Sequence, residues 1–146
     1  MSSNNQTVVG VDACSGGWFA TRLEREQMST DFFEIFKELT STYSETAQIL
    51  VDIPIGFPEG TRRQCNGAAR DFLGSRGNSV FFPPCRTATE CDEYEQANEE
   101  HRNQIGHGLS MQAYSIGDKI LEVNNAVVQG LVSLVMAMPS FVQYAW

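Results

Sequence analysis

The chain has 146 residues, a hydrophobic share of 42% and a formal net charge of −8, which suits one compact domain with its own core and is too short for two. Its ten Lys and Arg exclude a general nucleic-acid-coating surface, because phosphate neutralisation needs clustered cations, so any such contact has to be local. The acidity favours solubility and cation capture and carries no information about fold.

Cysteine usage narrows the chemistry further. Cys14, Cys65, Cys85 and Cys91 show no CxxC spacing, and only His101 and His107 could complete a zinc set, so a structural zinc site is not expected. Ser2 to Gln6 is polar and runs into a short strand, unlike the apolar core of a signal peptide. Reduced thiols and a cytoplasmic location are the corresponding expectations. Cys14 lacks a sequence-adjacent base that would lower its pKa and reads as a small residue filling a tight turn.

Met1 to Gln6 reads as frayed. Thr7 to Asp12 is an apolar run with no alternation, the pattern of a strand buried on both faces of an α/β sheet. It exits on a carboxylate, Asp12, and turns at Gly16 and Gly17, after which Trp18 to Leu23 reads as the second arm of a hairpin. Glu24 to Gln27 marks the next turn and Met28 to Asp31 a short third strand. Phe32, Phe33, Ile35, Phe36 and Leu39 recur at three- and four-residue spacing, which predicts a helix capped by Thr30 or Asp31 and ending by Thr42.

Gln48 to Asp52 is a second apolar strand that also ends on a carboxylate. The intervening helix can act as a right-handed crossover, which lets the two strands lie side by side and parallel. Asp12 and Asp52 then emerge at one edge, roughly 5 Å apart, where ligands of such sheets collect. Two close carboxylates repel, so one pKa rises unless a cation sits between them. A hard divalent ion, Mg2+ or Mn2+, answers that need. The plainer alternative is that each aspartate caps the turn after its strand.

From Pro54 onward, glycines and prolines punctuate the chain. Helices are predicted over Arg62 to Leu73, over Thr87 to Gln104 with Thr87 and Glu90 as a capping box, and over Ser110 to Val123. The last places Lys119 and Glu122 on one face, where they could simply pair with each other. Ser110 lies in GLSMQ, which is not the GxSxG nucleophile elbow, and both histidines are expected at the solvated surface. Ala126 to Trp146 is almost free of charge, but Gln129, Gly130, Ser133 and Pro139 interrupt it too often for a membrane span. A buried helix, or an apolar tail that drives homo-oligomer formation, is expected there.

The blocks VVGVDACSGGW, LVDIPIGFPEG, RRQCNGAAR with FLGSRGNSVFFPPCRTA, and GHGLSMQAYSIGDKILEVN run from Val8 to about Asn124. In their succession the chain resembles a DUF family of predicted RNase H-like nucleases. The resemblance implies an α/β, RNase H-like mixed sheet, a hairpin plus a parallel strand, flanked by helices and occupying residues 1–124. It implies Asp12 and Asp52 as metal-binding acids for Mg2+ or Mn2+, with Glu122 and Lys119 as further catalytic groups. Arg70, Arg86 and Gln112 become substrate-binding residues, and the Ser15-Gly16-Gly17 turn could hold phosphate through its backbone N–H groups.

The family pattern carries aspartate where Asn66 and Asn124 stand. It also continues into a further strand and helix with more acids, which Asn125 to Trp146 does not display, so a sheet lacking its last strand and helix is expected, followed by an apolar segment over 125–146. Three functions follow as expectations. The first is metal-dependent hydrolysis of nucleic acid or a small phosphoester. The others are non-catalytic binding of a nucleotide or phosphate metabolite, and an oligomerising structural remnant.

Overall fold

A mixed sheet organises the first part of the molecule. In the computed structural model, residues 7–43 and 47–131 are described in full and residues 135–137 as backbone; the amino-terminal six residues and most of the apolar segment lie outside the described residues. The strands are β1 (Thr7–Cys14), β2 (Gly17–Glu24), β3 (Gln27–Phe33), β4 (Ala47–Val51) and β5 (Val135–Ala137), with helix α1 (Phe36–Tyr43) between β3 and β4. Their order is β3-β2-β1-β4-β5. β1 pairs antiparallel with β2, and β2 with β3, whereas β4 lies parallel to β1 and β5 parallel to β4. This is the α/β, RNase H-like mixed sheet expected, with α1 as the crossover. One detail differs: a three-residue strand, β5, adds to the outer edge of β4 in the segment where no strand was expected.

The hairpin turns explain the local chemistry. Gly16 adopts φ 88°, a left-handed conformation that glycine enters without steric cost. A Cβ on Gly17 would collide with the Phe33 carbonyl oxygen, so β2 can approach β3 this closely only with glycine at its start. The β2–β3 turn instead places Arg25 and Glu26 at φ 47° and 66°, the positive-φ pair that tight hairpins require.

Burial along β1 alternates, which corrects the expectation of burial on both faces. Thr7, Val9 and Val11 are buried, while Gly10 and Asp12 are exposed. On the covered face Val9, Val11, Trp18, Ala20, Ile49 and Val51 are buried, as are Phe36, Leu39 and Tyr43 of α1, which packs against β2, β3 and β4, with the Trp18 and Phe36 ring centroids 4.8 Å apart. The opposite face carries exposed Phe19, Leu23, Met28 and Phe32. Thr30 to Phe33 belong to β3 and not to a helix, because Phe32 and Phe33 pair with Phe19 and Trp18 across the sheet. Aromatics satisfy either period, and the ladder decides. Tyr43 donates a hydrogen bond to Asp31; burial, then that bond, pushes its phenol up to about 12.

The chain divides into two compact units. One comprises Met1–Ile53 and Glu122–Met138, the other Pro54–Leu121 and Pro139–Trp146. The second contains α2 (Gln64–Leu73), 3-10 turns at Gly74–Ser79 and Thr87–Glu90, α3 (Tyr94–Ile105) and α4 (Met111–Ser115). Helix α5 (Gly117–Val128) contributes its first residues to this unit and the rest to the other. Phe81, Cys85, Ala88, Ala97, Ile105, Leu109 and Ala113 form the core of the second unit.

Two predicted helices are each broken in two. The expected Thr87 capping box does not form, since the Thr87 hydroxyl accepts from Gln104 Nε2 at 2.7 Å instead, and α3 begins only at Tyr94. The Ser110 run breaks after Ser115, whose hydroxyl donates to the Met111 carbonyl at 2.7 Å; Ser110 itself caps α4 by accepting from the Ala113 N–H. Among the described residues no helix is long and apolar enough to cross a membrane.

His101, expected at the surface, is 2% exposed and accepts a hydrogen bond from the Cys85 N–H at Nδ1, 3.1 Å away. Burial, followed by the charges of Arg62 and His107, holds its pKa below the ordinary value of 6.5. The unfolded chain therefore takes up this proton first, and stability falls as pH drops from that value through the lower folded one. His101→Gln cannot charge, so its stability should be flatter with pH in that window, at a cost of about 1 kcal/mol for the weakened Cys85 contact. Denaturant unfolding at stepped pH reads both effects; an unchanged acid limb in the variant would assign the loss to other groups.

Candidate functional site

The two strand-end carboxylates are brought together. Val11 pairs with Val51 in the parallel β1–β4 ladder, and the Asp52 N–H extends that ladder by donating to the Val11 carbonyl at 3.1 Å. Asp12 and Asp52 are the next residues on the two strands. Both follow the even-numbered positions, so they occupy the open face of the sheet. Asp12 is exposed and Asp52 partly buried. Asp52 Oδ1 is buried without a hydrogen-bond partner. Desolvation, and then the charge of Asp12, raise the Asp52 pKa, the signature of a carboxylate that a cation would relieve.

The open face continues across the sheet in a row. Asp12 stands opposite Phe19 in β2, and Phe19 opposite Phe32 in β3, with 47% and 53% of those residues exposed. One aromatic residue thus neighbours Asp12 directly, and a second lies one strand further out. Sequence periodicity concealed this, because Phe32 reads equally well as a helical core position.

Glu122 takes a different place from the one expected. Its Oε2 accepts from the Trp18 indole N–H at 3.0 Å and from the Phe36 backbone N–H at 2.8 Å. Phe36 opens α1, so this carboxylate satisfies a donor at the helix start that has no intrahelical acceptor and ties α1 to β2. Among the described residues no group of three or more His, Cys, Asp or Glu is arranged to hold a metal ion. Two carboxylates nonetheless fit Mg2+ or Mn2+, which commonly keeps waters and completes its shell with substrate phosphate oxygens. The orphaned Asp52 Oδ1 is the observation in favour.

The remaining predicted residues fall in two places. Gly16 forms the exposed β1–β2 turn, and Gly17 pairs with Cys14 and is buried. Arg70, Arg86, Gln112 and Lys119 belong to the second unit. There Arg70 Nε donates to the Gly77 and Val80 carbonyls at 3.1 and 2.9 Å, and Arg86 stacks 4.6 Å over Phe57. Gln112 lies on α4 and Lys119 on α5, exposed and half-buried respectively. Asn66, where an acid was anticipated from the family pattern, donates its amide to the Phe81 carbonyl at 3.1 Å. A carboxylate could not make that bond as a donor. Concave surface by the β2–β3 turn and between Thr89 and Asp118 contains neither member of the carboxylate pair.

A strand-end carboxylate pair on a 3-2-1-4-5 mixed sheet defines the class: an α/β protein with an RNase H-like sheet. The family model described as "Protein of unknown function (DUF429)" matches residues 10–136, and the chain belongs to that family. No curated protein matches it, and no solved structure does.

Proposed function

We propose that the protein is a divalent-metal-dependent phosphodiester hydrolase of the RNase H-like type that acts on nucleic acid. The observation that carries this reading is the Asp12–Asp52 pair, with one oxygen orphaned and the Asp52 carboxyl raised by burial and then by its neighbour. Asp12 and Asp52 would hold Mg2+ or Mn2+, which supplies Lewis acidity and charge neutralisation to a phosphate group. The protein's own part is positioning. The β1–β4 ladder fixes both carboxylates on rigid elements, and Glu122 fixes α1 on the other side of β1 and β2. Phe19 and Phe32 offer a stacking surface next to the cleavage position, which favours a base-bearing substrate over a small phosphoester.

A second reading, non-catalytic binding of a nucleotide or phosphate metabolite, is favoured by one observation: Glu122 is engaged with Trp18 and Phe36, so a third acid is not presented beside the pair. Incubation of a labelled single-stranded oligonucleotide with Mn2+ separates the two. The hydrolase reading expects divalent-dependent cleavage that Asp12→Asn reduces by about a thousandfold, comparable with loss of a principal electrostatic group. Cleavage that persists in Asp12→Asn would remove the reading, and binding without turnover in the parent would favour the second.

A further inference from the structure

Five of the ten cationic residues, Arg62, Arg63, Arg70, Arg76 and Arg86, fall between positions 62 and 86, a stretch with one acid, Asp71. Within the second unit, Arg62 and Arg70 share one aromatic ring: their guanidinium carbons lie 4.4 and 5.0 Å from the centroid of Phe82. Arg70 is clamped by the carbonyls of Gly77 and Val80. Arg62 and Arg63 are not. Arg62 Nε and Arg63 Nη1 are buried with no hydrogen-bond partner, and neither residue has a carboxylate in ion-pair range among the described residues.

Buried donors without acceptors are rare, and guanidinium donors especially so, because their desolvation is compensated only by an acceptor or a counter-charge. Like charges gathered on one ring repel unless an anion joins them. Phe82 meanwhile supplies a low-dielectric wall and a π-face that orients the Arg62 fork. We infer that Arg62, which shares the Phe82 ring with Arg70, and its sequence neighbour Arg63, whose Nη1 is likewise unpartnered, form a receptor for a terminal phosphoryl group, that is, a phosphate monoester. The guanidinium fork matches two phosphate oxygens at once. The double negative charge of a monoester answers several unpaired cations better than a diester or a carboxylate does. The site goes beyond the hydrolase reading, since it needs no divalent ion and uses none of the strand-end acids.

The test is titration calorimetry in EDTA on the full chain, with four probes. They are inorganic phosphate, a nucleoside 5′-monophosphate, and one single-stranded oligonucleotide with and without its 5′-phosphate. The phosphorylated probes are expected to bind saturably, and removal of the 5′-phosphate to weaken the oligonucleotide at least about tenfold. Tighter binding of the nucleotide than of inorganic phosphate would assign a nucleotide source, and equal binding a free phosphate. Arg62→Gln with Arg63→Gln should lose about thirtyfold, while Arg76→Gln should bind like the parent.

If the double glutamine variant does not fold, Arg62→Lys with Arg63→Lys retains the charge and should still lose several-fold, because an ammonium has no fork. Absence of saturable phosphate binding in the parent overturns the inference. Equal losses in Arg76→Gln, or equal binding of the oligonucleotide without its phosphate, overturn it as well, the first by indicating a diffuse positive field. Asp12→Asn is expected to bind these probes normally, so failure here and failure of the hydrolase reading are distinguishable.

Discussion

Asp52→Asn is expected to raise the melting temperature of the metal-free protein and to remove its response to Mg2+ or Mn2+. In the parent, a buried oxygen of Asp52 lacks a partner while Asp12 opposes its ionisation. The folded state therefore holds the Asp52 proton more tightly than the unfolded chain does. Its contribution to stability is present at acid pH and is lost as pH rises through the folded pKa. Removing the charge should gain about 1 kcal/mol near neutrality, the scale of one unsatisfied buried group, or about 4 °C for a domain of this size. The gain should fade on acidification. Thermal unfolding at pH 7 and pH 4, with and without Mn2+, reads all of this. A lower melting temperature without metal, together with a preserved Mn2+ response, would mean that Asp52 is a turn-capping group.

Glu122→Ala is expected to be among the most damaging substitutions in the sheet unit. It leaves the Trp18 indole N–H and the Phe36 N–H without their acceptor, at residues 0% and 1% exposed. Loss of these two buried hydrogen bonds costs about 3 kcal/mol together, or about 10 °C in melting temperature. Glu122→Gln keeps a carbonyl oxygen able to accept both bonds and should stay within about 1 kcal/mol of the parent. The same pair of variants separates anchoring from metal ligation. If Glu122 ligates a metal, the glutamine variant should melt normally yet bind Mn2+ much more weakly. The anchoring role predicts an unchanged Mn2+ affinity in every variant that folds.

Much of the sheet was legible because its signals are local. Thr7 to Asp12 and Gln48 to Asp52 are short apolar runs ending on carboxylates, and the helix between them leaves few ways to pair them except in parallel. The Phe32–Phe33 assignment failed for a definite reason: aromatics at positions 32, 33 and 36 fit a helical stripe, and only the cross-strand partners Trp18 and Phe19 settle the matter. The single-face burial of β1 was hidden for a similar reason, since burial on the second face depends on what covers it.

The contacts of Glu122 with Trp18 and Phe36 are not legible in sequence, because those residues lie 104 and 86 positions away. Beside Lys119 on one helix face it resembled a solvated pair or a third ligand equally well. His101 reads as a surface residue because its polar, glycine-rich neighbours say nothing of the Cys85 N–H that donates to it in the core. Arg62 and Arg63 carried a visible signal, a double arginine ahead of a helix. Their buried, unpartnered nitrogens are not visible in sequence, since burial depends on tertiary packing, for Arg62 against Phe82.

The most direct test of the central claim is a Mn2+ titration of the intact protein, followed by calorimetry and run in parallel on Asp12→Asn. The account predicts saturable binding to the parent and its loss in the variant, with both proteins folded. Equal binding by the two, or no binding by the parent, would contradict the assignment of Asp12 and Asp52 as a metal-holding pair.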